Sequence, residues 1–324
     1  MHYVIGTDEA GFGPNLGPLV ISASAWRLEG ADGATDLYGR LGDCISTTPP
    51  RRSSQSCPTL AFADSKRLYK PGKGMQHLER GLLAALASLG TLPENWSQLW
   101  QILAPEAAEE MPNIPWYADY ERPIPTDVSR EEIQAWETRL DERFQQSGVR
   151  LTALRSRACF ARHYNQIVQQ YQSKGAALSH TTLTMVAGLL ETTEAGCPIT
   201  VICDKHGGRN RYGGLLSEHF PEYVVEVVEE GRERSHYRLT RVDRRIEIHF
   251  QMKAESHLPV ALASMASKYL RELAMGAFNS YWCRHVPELK PTAGYPQDAK
   301  RFRDQVEPIR ARLNIDDEDF WRTK

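Results

Sequence analysis

Apolar and polar positions repeat along the chain with two periods, one typical of strands and one typical of helices. Short apolar runs and strict alternation predict strands at residues 3–5, 19–28, 198–203, 223–230 and 246–252. In the last of these, Ile246, Ile248, Phe250 and Met252 are predicted to share the buried face. Apolar residues at helical spacing predict helices over 74–90, 160–171, 183–190 and 258–278. Strands that alternate with helices predict an α/β fold with a mixed central sheet flanked by helices.

Acidic residues stand where predicted strands end. Asp8 and Glu9 follow the first apolar run, and Asp204 ends the run at 198–203. Glu255 lies between the last strand and the last long helix. An isolated Asp-Glu pair more often marks a solvated strand end, but sites in open α/β sheets form in the crevice beyond the strand ends. Four carboxylates there would repel one another without a cation, and oxygen ligands suit Mg²⁺ or Mn²⁺ and not zinc.

Asp8 and Glu9 are adjacent, so on a regular strand their side chains point to opposite faces of the sheet. Both can reach one site only if the strand ends or bulges there. Gly11 and Gly13 follow closely and permit such a change of direction. We therefore expect an irregularity in the first strand beside these two acids.

Cationic residues accompany the acids in three places. Lys66 follows an apolar stretch that begins at residue 60. Ser264, Lys268 and Arg271 form one polar stripe on the otherwise apolar last long helix. Each of these alone also fits a solvated loop or helix face. Residues 232–245, here called the basic segment, contain six arginines and form either an exposed hairpin or a surface that neutralises phosphates.

Charge and cysteine content narrow the class of protein. The chain has 324 residues and a formal net charge of −2, which excludes a uniformly basic nucleic-acid binder but not a basic groove. Its six cysteines show neither CxxC nor zinc spacing, so we expect reduced thiols and a cytoplasmic protein. No apolar run approaches membrane-spanning length. Residues 92–148 are irregular and rich in Trp and Pro; ordinary packing through these aromatics is favoured over binding of a partner.

Five sequence blocks follow one another in a characteristic order. They are TDEAGFGPNLGP, ADSKRL, VICDKHGG, KAES followed by LASMASKYLREL, and AGYP. The type 2 ribonucleases H, the ribonuclease HII/HIII family, read approximately DEAGRGP, DSK, a strand-terminal Asp, KAD followed by ASIxAKxxRD, and GYP or GYG. From residue 4 to about residue 300 the chain resembles this family. The resemblance implies one ribonuclease H-like domain over residues 1–324, with insertions at about 92–148 and 231–245.

The resemblance also implies an activity. Such enzymes are endonucleases that use Mg²⁺ or Mn²⁺, by a two-metal mechanism, to hydrolyse RNA in RNA/DNA hybrids or ribonucleotide-containing duplexes, leaving 5′-phosphate and 3′-hydroxyl ends. The matching positions imply catalytic and metal-binding roles for Asp8, Glu9, Asp204 and Glu255, nucleic-acid contacts for Gly11, Phe12, Gly13, Lys66 and Tyr295, and support from Ser264, Lys268 and Arg271. Neither a protein partner nor a membrane is implied.

Two positions depart from the family pattern. Phe12 stands where the family has Arg, so this chain lacks the phosphate contact of that arginine, and we expect weaker cleavage at a single embedded ribonucleotide than within a long RNA run. Glu255 replaces Asp and is one methylene longer. A second hypothesis therefore stays open, a divergent relative that binds nucleic acid without cutting it, and an unrelated metal-binding or scaffold protein is a third. Retention of all four acids favours the enzyme, because a pure binder gains nothing from negative charge beside phosphates.

Overall fold

The computed structural model describes residues 1–30, 36–49 and 59–323. Its strands are β1 (His2–Ala10), β2 (Leu19–Leu28), β3 (Ile45–Ser46), β4 (Leu60–Ala61), β5 (Val149–Cys159), β6 (Ile199–Asp204), β7 (Val224–Glu230), β8 (Arg234–Arg241) and β9 (Arg244–Gln251). Its helices are α1 (Leu37–Leu41), α2 (Ser65–Leu68), α3 (Gln76–Ser88), α4 (Trp96–Leu103), α5 (Pro105–Glu110), α6 (Arg130–Ser147), α7 (Ala161–Tyr171), α8 (Lys174–Leu190), α9 (Gly213–His219), α10 (Leu258–His285), α11 (Pro296–Arg312) and α12 (Asp317–Phe320). Short 3₁₀ turns lie at Met111–Asn113 and Ala254–Ser256.

One mixed sheet forms the centre of the described chain. Its strands lie in the order β5-β2-β1-β6-β9-β8-β7, while β3 and β4 pair separately. β1 is antiparallel to β2 and parallel to β6, and β6 is parallel to β9. The carboxyl ends of β1, β6 and β9 therefore meet at one edge of the sheet. The predicted α/β fold with a mixed central sheet flanked by helices is confirmed.

The long helix α10 packs directly on β1, because Gly6 lets the two backbones meet. A Cβ atom at Gly6 would lie 2.3 Å from backbone atoms of Pro259 and Val260, closer than real atoms approach. Alternation along β1 sends Val4 to the core beneath α10 and Ile5 to the core on the opposite face, and both side chains are fully buried. By the same alternation, the side chain of Asp8, two residues after Gly6, faces α10.

Residues 92–148 pack into the main core. The side chains of Trp96, Trp100 and Trp116 are almost completely buried. The Trp116 ring centroid lies 5.1 Å from that of Phe278 on α10, in an edge-to-face arrangement. Ordinary packing, the interpretation that the sequence favours, accounts for the aromatic residues of this stretch.

The strand β9 ends one residue earlier than its alternating pattern predicts. Ile246, Ile248 and Phe250 are fully buried, as expected. Met252 is 49% exposed, so the prediction that it shares the buried face is wrong. The reason is local, because the chain leaves the strand at Lys253, which adopts a left-handed φ of 59°.

Neither disulfides nor membrane-spanning helices occur in the described part of the chain. Cys44, Cys159, Cys197, Cys203 and Cys283 carry free thiols, and Cys57 lies outside the described residues. Among the helices defined above, none combines the length and the apolar character needed to cross a bilayer.

Candidate active site

The four predicted acidic residues lie at neighbouring strand ends. Asp8 and Glu9 stand just before the last residue of β1, and Asp204 is the last residue of β6. β9 ends beside Asp204, and Glu255 follows in the next 3₁₀ turn. The Ala254 N–H donates to Oδ1 of Asp204 over 3.3 Å, which ties that turn to the end of β6. The sheet topology thus brings together residues that are far apart in sequence.

β1 contains no bulge at Asp8 and Glu9, but it ends directly after them, at Ala10. Asp8 pairs with Ser22 and Glu9 with Ile21 on β2, without a shift of register. Of the two alternatives, an end and a bulge, the structure therefore has the end, and the two carboxylates leave the strand on opposite faces. β2 continues beside both acids, but on the other side of β1 the strand β6 stops at Asp204, and both carboxylates lie within electrostatic range of Asp204.

Burial and mutual repulsion raise the pKa of three of these carboxyl groups. Burial, and after it the charge of Glu9, raises the pKa of Asp8 well above its ordinary value. Burial and the charge of Asp204 raise the pKa of Glu9 to about 8. Burial and the charge of Glu255 raise the pKa of Asp204 to about 6. The cluster concentrates more negative charge than its surroundings stabilise, which is the electrostatic condition for binding a cation.

Lys66 supplies positive charge to the cluster. It lies in α2, whose N-terminus is capped by Asp64 through a 3.0 Å hydrogen bond from the Lys66 N–H. Partial burial lowers the pKa of Lys66, but nearby carboxylates, led by Asp64 and Glu255, raise it overall. The charge of Lys66 in turn lowers the pKa of Glu9. The structure therefore places Lys66 beside the acids, as the sequence predicts.

Two serines of α10 support Asp8. The nearby Ser264 hydroxyl lowers the pKa of the Asp8 carboxyl group, and it donates to the Ser65 hydroxyl over 3.2 Å. Ser267 donates to the Asp8 carbonyl oxygen over 3.0 Å. The sequence does not indicate Ser267, because small residues occur along the whole buried face of this helix.

Lys268 and Arg271 do not join the acids. The Lys268 ammonium lies 2.5 Å from the Glu272 carboxylate, one turn further along the helix. Arg271 is only 4% exposed, so the solvated-face alternative is wrong for this residue. Its guanidinium donates to two carbonyl oxygens of residues 11–18, here called the glycine-rich loop, and to that of Ala293. Arg271 thus supports the loop and not the carboxylates.

The glycine-rich loop and Tyr295 lie side by side. Gly11 has a φ of +92°, and a Cβ atom there would lie 2.6 Å from a backbone oxygen across the loop, so only glycine fits. The Asn15 N–H donates to the Gly294 carbonyl over 2.8 Å, which joins the loop to the segment before Tyr295. A Cβ atom at Gly13 would lie 3.8 Å from the Tyr295 ring. That ring is 60% exposed and accessible to a ligand.

The Phe12 ring points inward from the glycine-rich loop. It packs against the apolar cluster of Leu19, Ile21, Cys159, Tyr164 and Leu178. A Cβ atom at Gly207 would lie 3.1 Å from the ring, so the segment after β6 closes over it. This placement favours a packing role over the nucleic-acid contact that the family pattern implies.

Phe12→Ala is expected to lower the free energy of unfolding by about 1–3 kcal/mol, because it removes a half-buried ring from an apolar cluster. Phe12→Arg should also destabilise the fold, since a charge would replace the ring, and Phe12→Leu is the conservative control. Chemical denaturation measures all three. A Phe12→Arg protein of unchanged stability that gains activity on a single-ribonucleotide duplex would contradict the packing role.

The basic segment forms the β8–β9 hairpin, and its turn points away from the acids. The last residue of β9, Gln251, pairs with Asp204. Arg244 and Arg245 begin the same strand, so they lie at the opposite end of the sheet, and Arg241 faces Arg244 across the turn. These three arginines stand about six to seven residues of extended strand, roughly 20–23 Å, from the carboxylates.

Most arginines of the basic segment already have partners. Arg241 pairs with Asp243 at 2.8 Å, and Arg245 pairs with Glu247 at 2.7 Å. Arg244 is buried and donates to the Leu190 carbonyl over 2.9 Å. At the turn, Arg241 and Arg245 are thus paired with acids and Arg244 is buried, which favours the exposed-hairpin interpretation there.

The two ends of the hairpin should differ in their effect on nucleic-acid binding. Arg232 and Arg234 are exposed and lie at the end of the hairpin nearest the acids. Changing both to Ala should reduce the slope of log K against log salt concentration by up to about one unit for each phosphate that the protein no longer neutralises. Arg241→Ala with Arg245→Ala is the matched control and should leave the slope unchanged. Hybrid binding over a salt series measures both, and a larger change in the control pair would contradict this assignment.

The oxygen atoms of the candidate ligands are of the chemical type that binds hard divalent ions. All four candidate ligands are carboxylates, which Mg²⁺ and Mn²⁺ prefer. In residues 1–30, 36–49 and 59–323, however, no three His, Cys, Asp or Glu side chains lie close enough together to hold one ion. The side chains must therefore rotate to bind one, which the long chains of Glu9 and Glu255 allow. The metal site remains a prediction.

Comparison with known proteins gives matches to solved structures alone. No protein family model and no curated protein matches the sequence. The PCNA:RNase HII complex from Archaeoglobus fulgidus matches at 13% identity, over 99% of this chain and 94% of that chain, with a TM-score of 0.39. Ribonuclease H2 from Pyrococcus horikoshii OT3 matches at 12% identity, over 98% and 92%, with a TM-score of 0.41. Bst-RNase HIII in complex with Mn²⁺ matches at 15% identity, over 99% and 66%, with a TM-score of 0.40.

These matched proteins are type 2 ribonucleases H, the family that the sequence blocks resemble. At such low identities and TM-scores, the matches carry no information about the site or the activity of this chain. The assignment of function depends on the residues themselves.

Proposed function

We propose that the protein is a metal-dependent endonuclease that hydrolyses RNA within RNA/DNA hybrid duplexes and leaves 5′-phosphate and 3′-hydroxyl ends. The observation that carries this proposal is the meeting of four carboxylates, from β1, β6 and the turn after β9, at one end of the sheet. Together with burial, the charges of this cluster raise the pKa of Asp8, Glu9 and Asp204. The order of the sequence blocks supports the choice of substrate.

Asp8, Glu9, Asp204 and Glu255 would hold two Mg²⁺ or Mn²⁺ ions. When bound, such ions activate a water molecule and stabilise the leaving oxygen of a phosphodiester. Lys66 stands beside the acids with a raised pKa, so it stays protonated at neutral pH and can bind a phosphate oxygen of the substrate.

The glycine-rich loop and Tyr295 would recognise the RNA strand. The ribose 2′-hydroxyl is the group that distinguishes RNA from DNA at a given position. The peptide groups of Gly11 and Gly13 can approach this hydroxyl closely because no side chain intervenes. The exposed Tyr295 ring, next to Gly13, can pack on the sugar beside the scissile bond.

A second candidate function is binding of the same duplexes without cleavage. The observation in its favour is that the described residues contain no three metal-ligating side chains already gathered for one ion. Against it stands the concentration of negative charge where phosphates would bind, which weakens binding unless a cation is present.

We also propose a cytoplasmic location. The free thiols of the five described cysteines are compatible with a reducing compartment.

The test is cleavage of an end-labelled RNA/DNA hybrid in Mg²⁺ or Mn²⁺, beside a DNA duplex and single-stranded RNA of the same sequence. We expect internal cuts in the RNA of the hybrid alone, no cuts in EDTA, and products that carry 5′-phosphate ends. Hybrid binding without cutting in either metal would support the second candidate. Equal cutting of single-stranded RNA would contradict the proposed substrate.

A further inference from the structure

Arg322 is a fully buried arginine without an acidic partner. Its side chain has no exposed surface, and its guanidinium carbon lies 4.1 Å from the centroid of the Tyr164 ring. Arg271 is buried close by, and within the described ranges neither side chain forms a salt bridge. Buried charges in proteins are normally paired, because desolvation of a lone charge is costly. Both arginines donate to carbonyl oxygens of the glycine-rich loop, so they fix the position of that loop.

Four hydrogen bonds join Arg322 to the glycine-rich loop. The Arg322 N–H donates to the Asn15 carbonyl over 2.9 Å, and Nδ2 of Asn15 donates to the Arg322 carbonyl over 2.9 Å. The guanidinium donates to the carbonyl oxygens of Gly17, over 3.2 Å, and Phe12, over 3.5 Å. The first pair depends on the Arg322 backbone and the second on its side chain, so substitution of the side chain separates them.

The segment that carries Arg322 is fixed from outside. Arg162 on α7 forms ion pairs with three acids at or beside α12, namely Asp316, Glu318 and Asp319. Nδ2 of Asn165, also on α7, donates to the Trp321 carbonyl over 2.9 Å. These contacts hold the backbone before Arg322 against α7 and leave its side chain directed at the loop.

The contact with the Phe12 carbonyl determines where the next N–H points. In a trans peptide, the carbonyl of one residue and the N–H of the next point in opposite directions. The Phe12 carbonyl points to Arg322, so the Gly13 N–H points away from it. Gly13 is exposed, and a Cβ atom there would lie 3.8 Å from the Tyr295 ring. The Gly13 N–H therefore lies on the outer side of the loop, next to the tyrosine.

We propose that Arg322 is a positioning residue, which orients the Phe12–Gly13 peptide so that the Gly13 N–H donates to the ribose 2′-hydroxyl of the RNA strand. This inference rests on the proposed function and adds to it a residue outside the family-like blocks. Arg322 touches no substrate atom. It acts through the loop, and loss of its side chain should weaken recognition of the hydroxyl more than general affinity for a duplex.

The test compares the affinities of one protein for an RNA/DNA hybrid with non-hydrolysable linkages and for a DNA duplex of the same sequence, by fluorescence anisotropy in Mg²⁺. Wild-type protein should prefer the hybrid. Arg322→Met should reduce affinity for the hybrid by about fivefold to tenfold, the effect of one hydrogen bond, and leave affinity for the DNA duplex nearly unchanged. Arg322→Lys keeps the positive charge but loses the planar guanidinium, so its affinity for the hybrid should lie between those of the wild type and Arg322→Met.

Arg303→Met is the matched control, because Arg303 contacts Asp317 and Trp321 in the same region but not the loop. It should keep the wild-type preference. If Arg322→Met loses affinity for both duplexes equally, or keeps the wild-type preference for the hybrid, the role of Arg322 alone is overturned. A wild-type protein that shows no preference for the hybrid would contradict the proposed function and this inference together. If neither Arg322 variant shows a cooperative thermal transition, Arg322 is a folding residue and the proposal fails.

Discussion

Asp8→Asn is expected to reduce the rate of hybrid cleavage about a thousandfold while the protein stays folded. The substitution keeps the shape of the side chain and its capacity to accept hydrogen bonds, but it removes one negative charge from the proposed metal site. A metal ion contributes several kcal/mol to stabilisation of the transition state, and a tenfold change in rate corresponds to about 1.4 kcal/mol. Single-turnover cleavage of a labelled hybrid in saturating Mg²⁺ measures the effect.

Asp43→Asn provides the matched control. Asp43 pairs with Arg143 at 2.7 Å, and its side chain is 67% exposed, in contrast to the buried carboxylates of the acid cluster. The control should retain wild-type activity. An Asp8→Asn protein that keeps more than about one-tenth of the wild-type rate would contradict a catalytic role for this carboxylate.

The metal-free protein is expected to lose stability as the pH rises from about 7 to about 8.5. Burial and the charge of Asp204 raise the pKa of Glu9 from 4.5 to about 8. The folded state therefore binds more protons than the unfolded state across this window, so the free energy of unfolding falls as the pH increases and levels off above the folded pKa. The slope is at most about 1.4 kcal/mol per pH unit for one group, or a few degrees in Tm.

Glu9→Gln should reduce this dependence and raise the Tm of the metal-free protein at the upper end of the window. Buried histidines such as His206, whose pKa burial lowers to about 3, are neutral here, so the difference between variant and wild type isolates the carboxylate. Thermal melts in EDTA and in Mg²⁺ provide the measurement, and Mg²⁺ should reduce the wild-type slope. A wild-type Tm that rises over this window, or an identical slope in Glu9→Gln, would contradict the charge cluster.

The acid cluster could be predicted from the sequence because its signals are local. Each carboxylate stands directly after an apolar run or just before a long helix. The parallel pairing of β1, β6 and β9 then brings these positions to the same end of the sheet. The glycine-rich loop is similarly visible, because its glycines are adjacent in sequence. The same local signals leave open whether the first strand bulges or ends beside Asp8 and Glu9, and the structure shows that it ends at Ala10 without a bulge.

Contacts between distant segments could not be predicted in this way. Arg322 meets Gly17 across 305 residues of chain, and nothing around it in the sequence distinguishes a buried arginine from a solvated one. Arg244 of the basic segment similarly donates to the Leu190 carbonyl across 54 residues of chain. Phe12 takes the place of a family arginine in the sequence, whereas its environment is set by an apolar cluster from β2, β5, α7 and α8.

The central claim is that Asp8, Glu9, Asp204 and Glu255 together bind the divalent ions of a nuclease. Anomalous diffraction from crystals of the protein grown with Mn²⁺ and a hybrid carrying a non-hydrolysable linkage tests it most directly. We expect Mn²⁺ within coordination distance of carboxylate oxygens from all four residues, next to a phosphate of the RNA strand. Hybrid bound at this end of the sheet without Mn²⁺, or Mn²⁺ held by other residues, would contradict the claim.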